Sequence, residues 1–186
     1  VQELLAVESR YMCEGVVFDK VLCRFDFKSE SPLMLSCRLG DAVTVRALLR
    51  ALHALSEHGD AGRMSESDLL NRPNASGRTA LMMAVENAGQ DYRTVEELCG
   101  VPEVDPNVAT TAPTATLAEG TTALMIAAER GYLEKVRFLL ARPETEAHRR
   151  NALDLTAMDL AASKLVAIAF SRRQALSDGH RPPPTG

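Results

Sequence analysis

The chain is poor in aromatic residues: it has no tryptophan, three tyrosines and five phenylalanines among 186 residues. Hydrophobic residues nevertheless make up 46%, so a core has to be built from Leu, Ala, Val and Met. Such a composition favours closely packed helices, and the length suits one ordinary domain. No apolar run approaches the roughly 20 residues that a membrane-spanning helix needs, so the sequence predicts no membrane span.

Cysteine and net charge are also limited. The four cysteines form neither a CxxC pair nor a Cys/His pattern with zinc spacing, which predicts free thiols and no metal site. The net charge is −4, from 21 basic and 25 acidic residues. Nucleic-acid-binding proteins usually show a basic excess, so we expect no nucleic-acid partner.

Signatures of catalysis are missing as well. There is no GxSxG motif and no GxxxxGK[ST] phosphate loop. The one compact acid–imidazole group, His58-Gly59-Asp60, lies in a predicted loop. We therefore predict no catalytic residues, no cofactor and no enzymatic activity.

The N-terminal segment VQELLAVESR has neither the basic start nor the apolar run of a secretory signal. We therefore expect an intracellular protein, most simply a cytoplasmic one. The chain starts with Val1 rather than Met, so a longer parent protein is a possibility that the sequence leaves open.

The sequence contains a motif of about 17–19 residues that occurs three times. LMLSCRLGDAVTVRALL begins at Leu33, LMMAVENAGQDYRTVEELC at Leu81 and LMIAAERGYLEKVRFLL at Leu124. A shorter copy, TAMDLAASK, surrounds Met158. The four starting points are separated by 48, 43 and 34 residues. Repetition of this kind predicts similar units that stack on one another.

Residues 122–140 show what one unit should form. Thr122 is placed to cap a helix rich in alanine, and Gly131 is placed to end it in the left-handed conformation. A second helix follows, and Pro143 prevents its continuation. Its apolar face comprises Leu133, Val136, Leu139 and Leu140, and its outer face Glu134, Lys135 and Arg137.

These features together resemble the ankyrin repeat. The segment GTTALMIAAERGYLEKVRFLL follows the family pattern G-x-T-P-L-H-x-A-A-x-x-G with its subsequent Val/Leu helix. The segments at 77–89 and 31–49 follow the pattern less closely, and the resemblance covers roughly residues 26–165. It implies an all-α fold: an α-solenoid of about four ankyrin-like helix-turn-helix repeats with helical caps.

The family period of about 33 residues divides the chain into units and inserts. We expect an N-terminal cap or decayed repeat at 1–25, and a C-terminal extension with a Pro-rich tail at 171–186. In the first insert, Ser65 and Asp68 predict a capping box and a short helix through Leu70. The second insert, rich in Thr, Ala and Pro, is expected to project outside the core. The repeat domain, 26–170, then has repeats near 26–58, 74–100, 117–143 and 151–170, and inserts at 59–73 and 101–116.

Two positions of the family pattern need comment. The family's acidic or amide turn residue is matched by Asp26, Asn74 and Asn151, but the third unit has Leu117 there, which predicts an irregular turn. The family's His, which ties neighbouring loops, is replaced by Met34, Met82, Met125 and Asp159. We expect the methionines to be buried and the array to be looser, because a thioether can only pack.

The resemblance implies binding of one or more proteins through turn residues and the two residues before the mid-repeat glycine. Carried over by position, the candidate partner-binding residues are Phe27, Lys28, Glu30, Arg38, Leu39, Ser76, Arg78, Glu86, Asn87, Glu119, Thr121, Glu129 and Arg130. Phe27, Arg38, Arg78 and Arg130 are the preferred anchors, since aromatic and Arg side chains dominate interface energetics.

Three functions remain open at this point. The first is a non-catalytic protein–protein interaction module or adaptor. The second is a structural subunit of a large cytoskeletal or ribonucleoprotein assembly, which the long inserts and the lost histidines favour. The third is a regulatory segment of a longer enzyme. The sequence leaves the partner and the oligomeric state open.

Overall fold

A computed structural model describes residue 26 and residues 28–57, 65–87, 92–111, 113–114 and 117–177. Phe27, the predicted cap at 1–25, the His58-Gly59-Asp60 group and the Pro-rich tail lie outside these residues. The described part contains helices and a single isolated bridge, between Ala109 and Thr122, which confirms the all-α prediction. The helices are α1 (Pro32–Leu39), α2 (Ala42–Glu57), α3 (Glu66–Asn71), α4 (Ala80–Glu86), α5 (Arg93–Cys99), α6 (Ala123–Glu129), α7 (Leu133–Ala141) and α8 (Lys164–Ser177).

The helices pack in two rows. Helices α1, α4 and α6 contact one another in sequence and form the first row, and α2, α5, α7 and α8 form the second. The pairs α1–α2, α4–α5 and α6–α7 also contact each other, so each is one hairpin of the predicted solenoid. Helices α4 and α6 of the first row are enclosed by neighbours, and residues Ala80–Val85 and Ala123–Ala128 are accordingly all buried. A helix surrounded in this way has to be apolar all round, which explains the runs of Ala, Leu and Met.

Each unit caps its first helix at the same position. Ser31, Thr79 and Thr122 stand two residues before the aligned leucine, and each side-chain oxygen accepts the N–H of the following Met34, Met82 or Met125. Thr122 is the cap that the sequence predicted. The three methionines are buried, as expected. The shared cap fixes the start of every first-row helix, so the units have a common register.

Two further helix signals in the sequence are confirmed. Ser65 and Asp68 form the capping box of α3, in which each side chain accepts a backbone N–H of the other residue. Gly131 has φ +73°, the left-handed conformation that ends α6. Both signals depend on local geometry alone, which is why the sequence shows them.

The fourth unit keeps the cap but loses the helix. Thr156 accepts the N–H of Asp159 at 3.3 Å, and the Asp159 carboxylate accepts the N–H of Thr156 in return. Residues 157–160 nevertheless form only turns, and Met158, at the aligned leucine position, is 46% exposed. The second helix of this unit, α8, runs to Ser177 and thus crosses the predicted domain boundary at residue 170.

Lys135 is placed differently from the prediction. The periodicity of α7 put it on the outer face, but its exposure is 2%. Its Nζ donates to the carbonyl oxygens of Ala84, Val85 and Asn87, at 3.3, 3.1 and 2.7 Å, and lies 4.7 Å from the centre of the Tyr132 ring. These carbonyls end α4, so the ammonium group compensates the negative end of that helix dipole.

Hydrogen bonds connect the ends of the other first-row helices in the same direction. Asn87 Nδ2 donates to the Arg38 carbonyl at the end of α1, at 2.9 Å. The N–H of Ala162 donates to the Ala128 carbonyl at the end of α6, at 3.0 Å. Each first-row helix therefore accepts, at its C-terminal end, a hydrogen bond from the unit that follows it. These bonds lie at helix ends, whereas the family's histidine ties loops, so the expectation that methionine packing replaces that tie stays a prediction.

Residues 101–110 of the second insert pack against the array, contrary to the prediction that the insert projects. Val104 belongs to the hydrophobic core. The Arg142 guanidinium donates to the Val101 and Pro102 carbonyls, at 3.1 and 3.2 Å. Asn107 donates to the Glu144 carbonyl, at 2.8 Å. The scarcity of large apolar residues suggested that this segment would not pack. It is instead attached to the loop after α7 by hydrogen bonds of backbone and amide groups.

Candidate functional site

The turn that precedes each first-row helix is built around one residue. Asp26, Asn74 and Asn151 use Oδ1 to accept the N–H groups of the residues two and four positions later, at 2.8–3.1 Å. The residue three positions later has φ between 58° and 71° in each case. Such Asx turns fix the backbone, so neighbouring units present their turn side chains in the same orientation.

Thr110 supplies this function in the third unit, where the aligned residue is Leu117. Its N–H donates to the Thr121 carbonyl at 2.9 Å and its carbonyl accepts the N–H of Gly120 at 2.8 Å. Its Oγ1 accepts the N–H of Thr121, at 3.0 Å. The same three bonds join Asn74 to its own turn. The backbone bonds of this turn are thus the same as those of the second unit, and the turn differs from the others in having Thr110 in place of the Asx residue and residues 111–117 in the sequence between Thr110 and Ala118.

A groove opens on the turn side of the first two units. Its volume is about 580 Å³, and we call it the inner groove. Seven of the thirteen predicted partner-binding residues lie in its wall. The lining residues are Lys28, Glu30, Arg38, Asn74, Ala75, Ser76, Arg78, Met83, Glu86 and Asn87. The sequence did not indicate Met83, because its apolar neighbours on α4 gave it no distinguishing signal.

Two ion pairs lie in the wall of the inner groove, and the acidic and basic residues have exchanged places between them. In the first unit the turn residue Glu30 lies 3.4 Å from the helix-end residue Arg38. In the second unit the turn residue Arg78 lies 2.7 Å from the helix-end residue Glu86. Glu30 and Arg78 occupy the same position of the repeat, three residues before the aligned leucine. Arg38 and Glu86 likewise share a position, five residues after that leucine. The two units therefore present the same pair with its charges exchanged.

The other predicted residues lie elsewhere. Leu39, Glu119, Glu129 and Arg130 are exposed but are outside the lining of the inner groove. Thr121 is only 3% exposed, and its hydroxyl donates to the Ala118 carbonyl at 2.7 Å, so it supports the turn instead of facing a partner. A threonine at a turn gave no indication that its side chain points inward.

The described residues offer little reactive chemistry. No group of three or more His, Cys, Asp or Glu side chains among them converges on a metal-sized site. Burial raises the pKa of the Cys37 thiol, and it raises the pKa of Cys99 to about 11, so both thiols are protonated at neutral pH. None of the helices in the described ranges has the length and apolar character required to cross a bilayer.

Stacked helix hairpins in two rows, joined by capped and Asx-closed turns, define a helical repeat protein. A family model described as ankyrin repeats, three copies, matches residues 4–110 and residues 87–169. The matches cover most of the chain, and the protein belongs to the ankyrin-repeat family. Ankyrin repeats are generally protein–protein interaction modules and are typically not catalytic.

Proposed function

We propose that the chain is a non-catalytic binding module or adaptor that recognises a partner protein through the inner groove. The observation that carries this proposal is the pair of charge-exchanged ion pairs, Glu30–Arg38 and Arg78–Glu86, in one groove wall. Each guanidinium is held by a carboxylate of its own unit, and the turns below are fixed by Asx bonds. Charged groups oriented before binding lose little conformational entropy when a partner arrives.

The pattern of charges also defines what kind of partner segment fits. A segment that lies along the groove across both units passes Glu30 and then Arg78 on the side of the turns. On the side of the helix ends it passes Arg38 and then Glu86. A partner that carries side chains of both signs in the complementary order is attracted at every position. A partner of one sign is repelled at half of them, which gives specificity more than affinity.

The test exchanges charges within one unit. Glu30→Arg combined with Arg38→Glu keeps an ion pair in the first unit, so the fold should be unaffected, but the first unit then has the charge order of the second. The matched control exchanges Arg46 and Glu97, an ion pair that joins second-row helices α2 and α5. Affinity purification of the full-length protein, with quantitative mass spectrometry, compares the two variants with the unchanged chain.

We expect the first exchange to remove proteins that the unchanged chain and the control both capture, while circular dichroism shows equal helicity. Capture of the same proteins by all three chains would contradict a role of the inner groove. The alternative of a structural subunit has one observation in its favour, the exposed apolar residues Leu165 and Ile168 on α8. Sedimentation of the native particle distinguishes the two, because a subunit of a large assembly sediments with it.

The cellular location is part of the same proposal. Cys37 and Cys99 are free thiols, and proteins of oxidising compartments usually pair theirs. We therefore infer a reducing compartment, most simply the cytoplasm, and imaging of the tagged full-length protein tests this.

A further inference from the structure

A second groove lies between α7 and α8 in the second row, and we call it the α7–α8 groove. Its volume is about 360 Å³, and side chains of both helices form its walls. Leu165 and Ile168 of α8 line it and are 62% and 48% exposed, and Leu133 of α7 lies opposite. It contains neither turn residues nor first-row residues, so it is distinct from the inner groove.

Helix α8 is apolar on two sides, and only one of them is covered. Val166 and Phe170 are buried in the core. Leu165 and Ile168, on the other side, face the α7–α8 groove. An apolar side of a helix normally packs against another element. Isolated apolar residues on a surface are common, but here two of them line one concave site, which is typical of an interaction surface.

The charge of the α7–α8 groove is opposite to that of the chain as a whole. Arg137, Arg172 and Arg173 line it together with apolar residues, and no acidic side chain does, although the net charge is −4. Arg173 donates to the Arg142 and Pro143 carbonyls at 3.1 and 3.4 Å. Those bonds place the C-terminal ends of the two helices side by side and hold that guanidinium at the groove.

Arg137 forms an ion pair with Glu134, at 2.7 Å, on the same turn of α7. Both side chains are about half exposed, and Glu134 is outside the groove lining. An exposed pair of this kind is weak, so a carboxylate on an incoming segment can compete for the guanidinium.

We propose that the α7–α8 groove binds an acidic amphipathic helix of a partner protein. Apolar side chains from two helices with a basic rim suit a helix whose leucines recur at i, i+3, i+4 and i+7 and whose other faces carry glutamate. The leucines cover Leu165, Ile168 and Leu133, and the glutamates reach Arg137 and Arg172. Because this site and the inner groove use different rows of helices, the chain can hold two partners at once.

The probe is a fluorescein-labelled 18-residue peptide with leucine at helical spacing and glutamate on its remaining faces, measured by fluorescence anisotropy with the full chain. Its counterpart has lysine in place of every glutamate. We expect the glutamate peptide to bind and the lysine peptide not to bind. Ile168→Asp should weaken binding at least about 10-fold, and Arg172→Glu should weaken it and reduce its salt dependence.

The controls are Val43→Asp and Arg50→Glu, which change exposed residues of α2 in the same way. Neither should alter binding, and circular dichroism of every variant should match that of the unchanged chain. The proposal is overturned by equal binding of both peptides, or by equal binding to the groove and control variants. It is also overturned by a dimer that Ile168→Asp dissociates, since a second copy would then cover the groove. Binding that appears only after deletion of residues 178–186 would likewise overturn it, since the chain's own end would be the occupant.

Discussion

Thr110→Val tests whether the second insert rebuilds the turn of the third unit. Valine has the shape of threonine and suits an extended backbone, so the change removes hydrogen bonds and little else. The N–H of Thr121 loses its acceptor, at 3.0 Å, in a buried place. The Ala118 carbonyl loses one donor but keeps the Thr121 hydroxyl, at 2.7 Å. The cost is therefore that of one buried unpaired N–H, about 1–3 kcal/mol of unfolding free energy.

A loss of about 2 kcal/mol corresponds to a lowering of Tm by about 4–8 °C in a domain of this size. Calorimetry or thermal circular dichroism measures it. The matched control is Thr111→Val, the same substitution one residue later, where the side chain is exposed. Its Tm should be that of the unchanged chain. Equal Tm values for the two variants would refute the argument, because Thr110 would then not replace the Asx residue.

Three further outcomes are expected. Lys135→Met should lower the unfolding free energy by about 2 kcal/mol in urea titration, because buried carbonyls at the end of α4 lose their donor; an unchanged midpoint would contradict the assignment. Gly131→Ala should lower the unfolding free energy by about 1 kcal/mol, because Gly131 has a positive φ. Gly120→Ala should lower it further, because a Cβ at Gly120 would lie 3.2 Å from a backbone atom of the next turn, whereas a Cβ at Gly131 would lie 3.7 Å from the nearest side chain. Peptide mapping after alkylation of the native protein should show Cys37 reacting more slowly than Cys99, because it is the more deeply buried thiol; the reverse order would argue against the packing of α1.

Much of the fold could be predicted because each unit carries its own local signals. The caps at Thr122 and Ser65 and the left-handed stop at Gly131 depend on residues only a few positions apart. The register of the units follows from the aligned leucines, whose neighbours have to be apolar on all sides. These signals need no knowledge of the rest of the chain.

The errors concern contacts between distant segments. The burial of Lys135 could not be predicted because its partners are backbone carbonyls. Every residue has a carbonyl, and no sequence pattern shows which ones a lysine will contact. The insert was misplaced for a related reason. The stretch from Leu81 to Leu124 exceeds the family period of about 33 residues by about ten. Three of these surplus residues precede α5, which begins 12 positions after Leu81, whereas α7 begins nine positions after Leu124. The other seven are residues 111–117, and the sequence does not show that Thr110 and Ala118, on either side of them, belong to one turn.

The candidate site was only partly predictable. Family positions placed seven residues in the inner groove, but the exchanged charges of Glu30–Arg38 and Arg78–Glu86 became visible only when their separations were known. The α7–α8 groove had no counterpart in the sequence argument. Leu165 and Ile168 follow the apolar pattern of a buried helix, and a pattern does not tell which of two apolar sides remains uncovered.

Besides the hydrogen bonds of their own turns, the ends of α1, α4 and α6 each accept a hydrogen bond from the unit that follows, through Asn87, Lys135 and Ala162. On the ribosome, a first-row helix therefore emerges before the groups that finish its end have been synthesised. The end of each first-row helix is therefore fully hydrogen-bonded only after the next unit has been synthesised. We expect the nascent chain to fold one unit later than it is translated. A stop codon within a later unit would then damage the preceding unit as well, whereas loss of the first unit would leave the ends of α4 and α6 bonded.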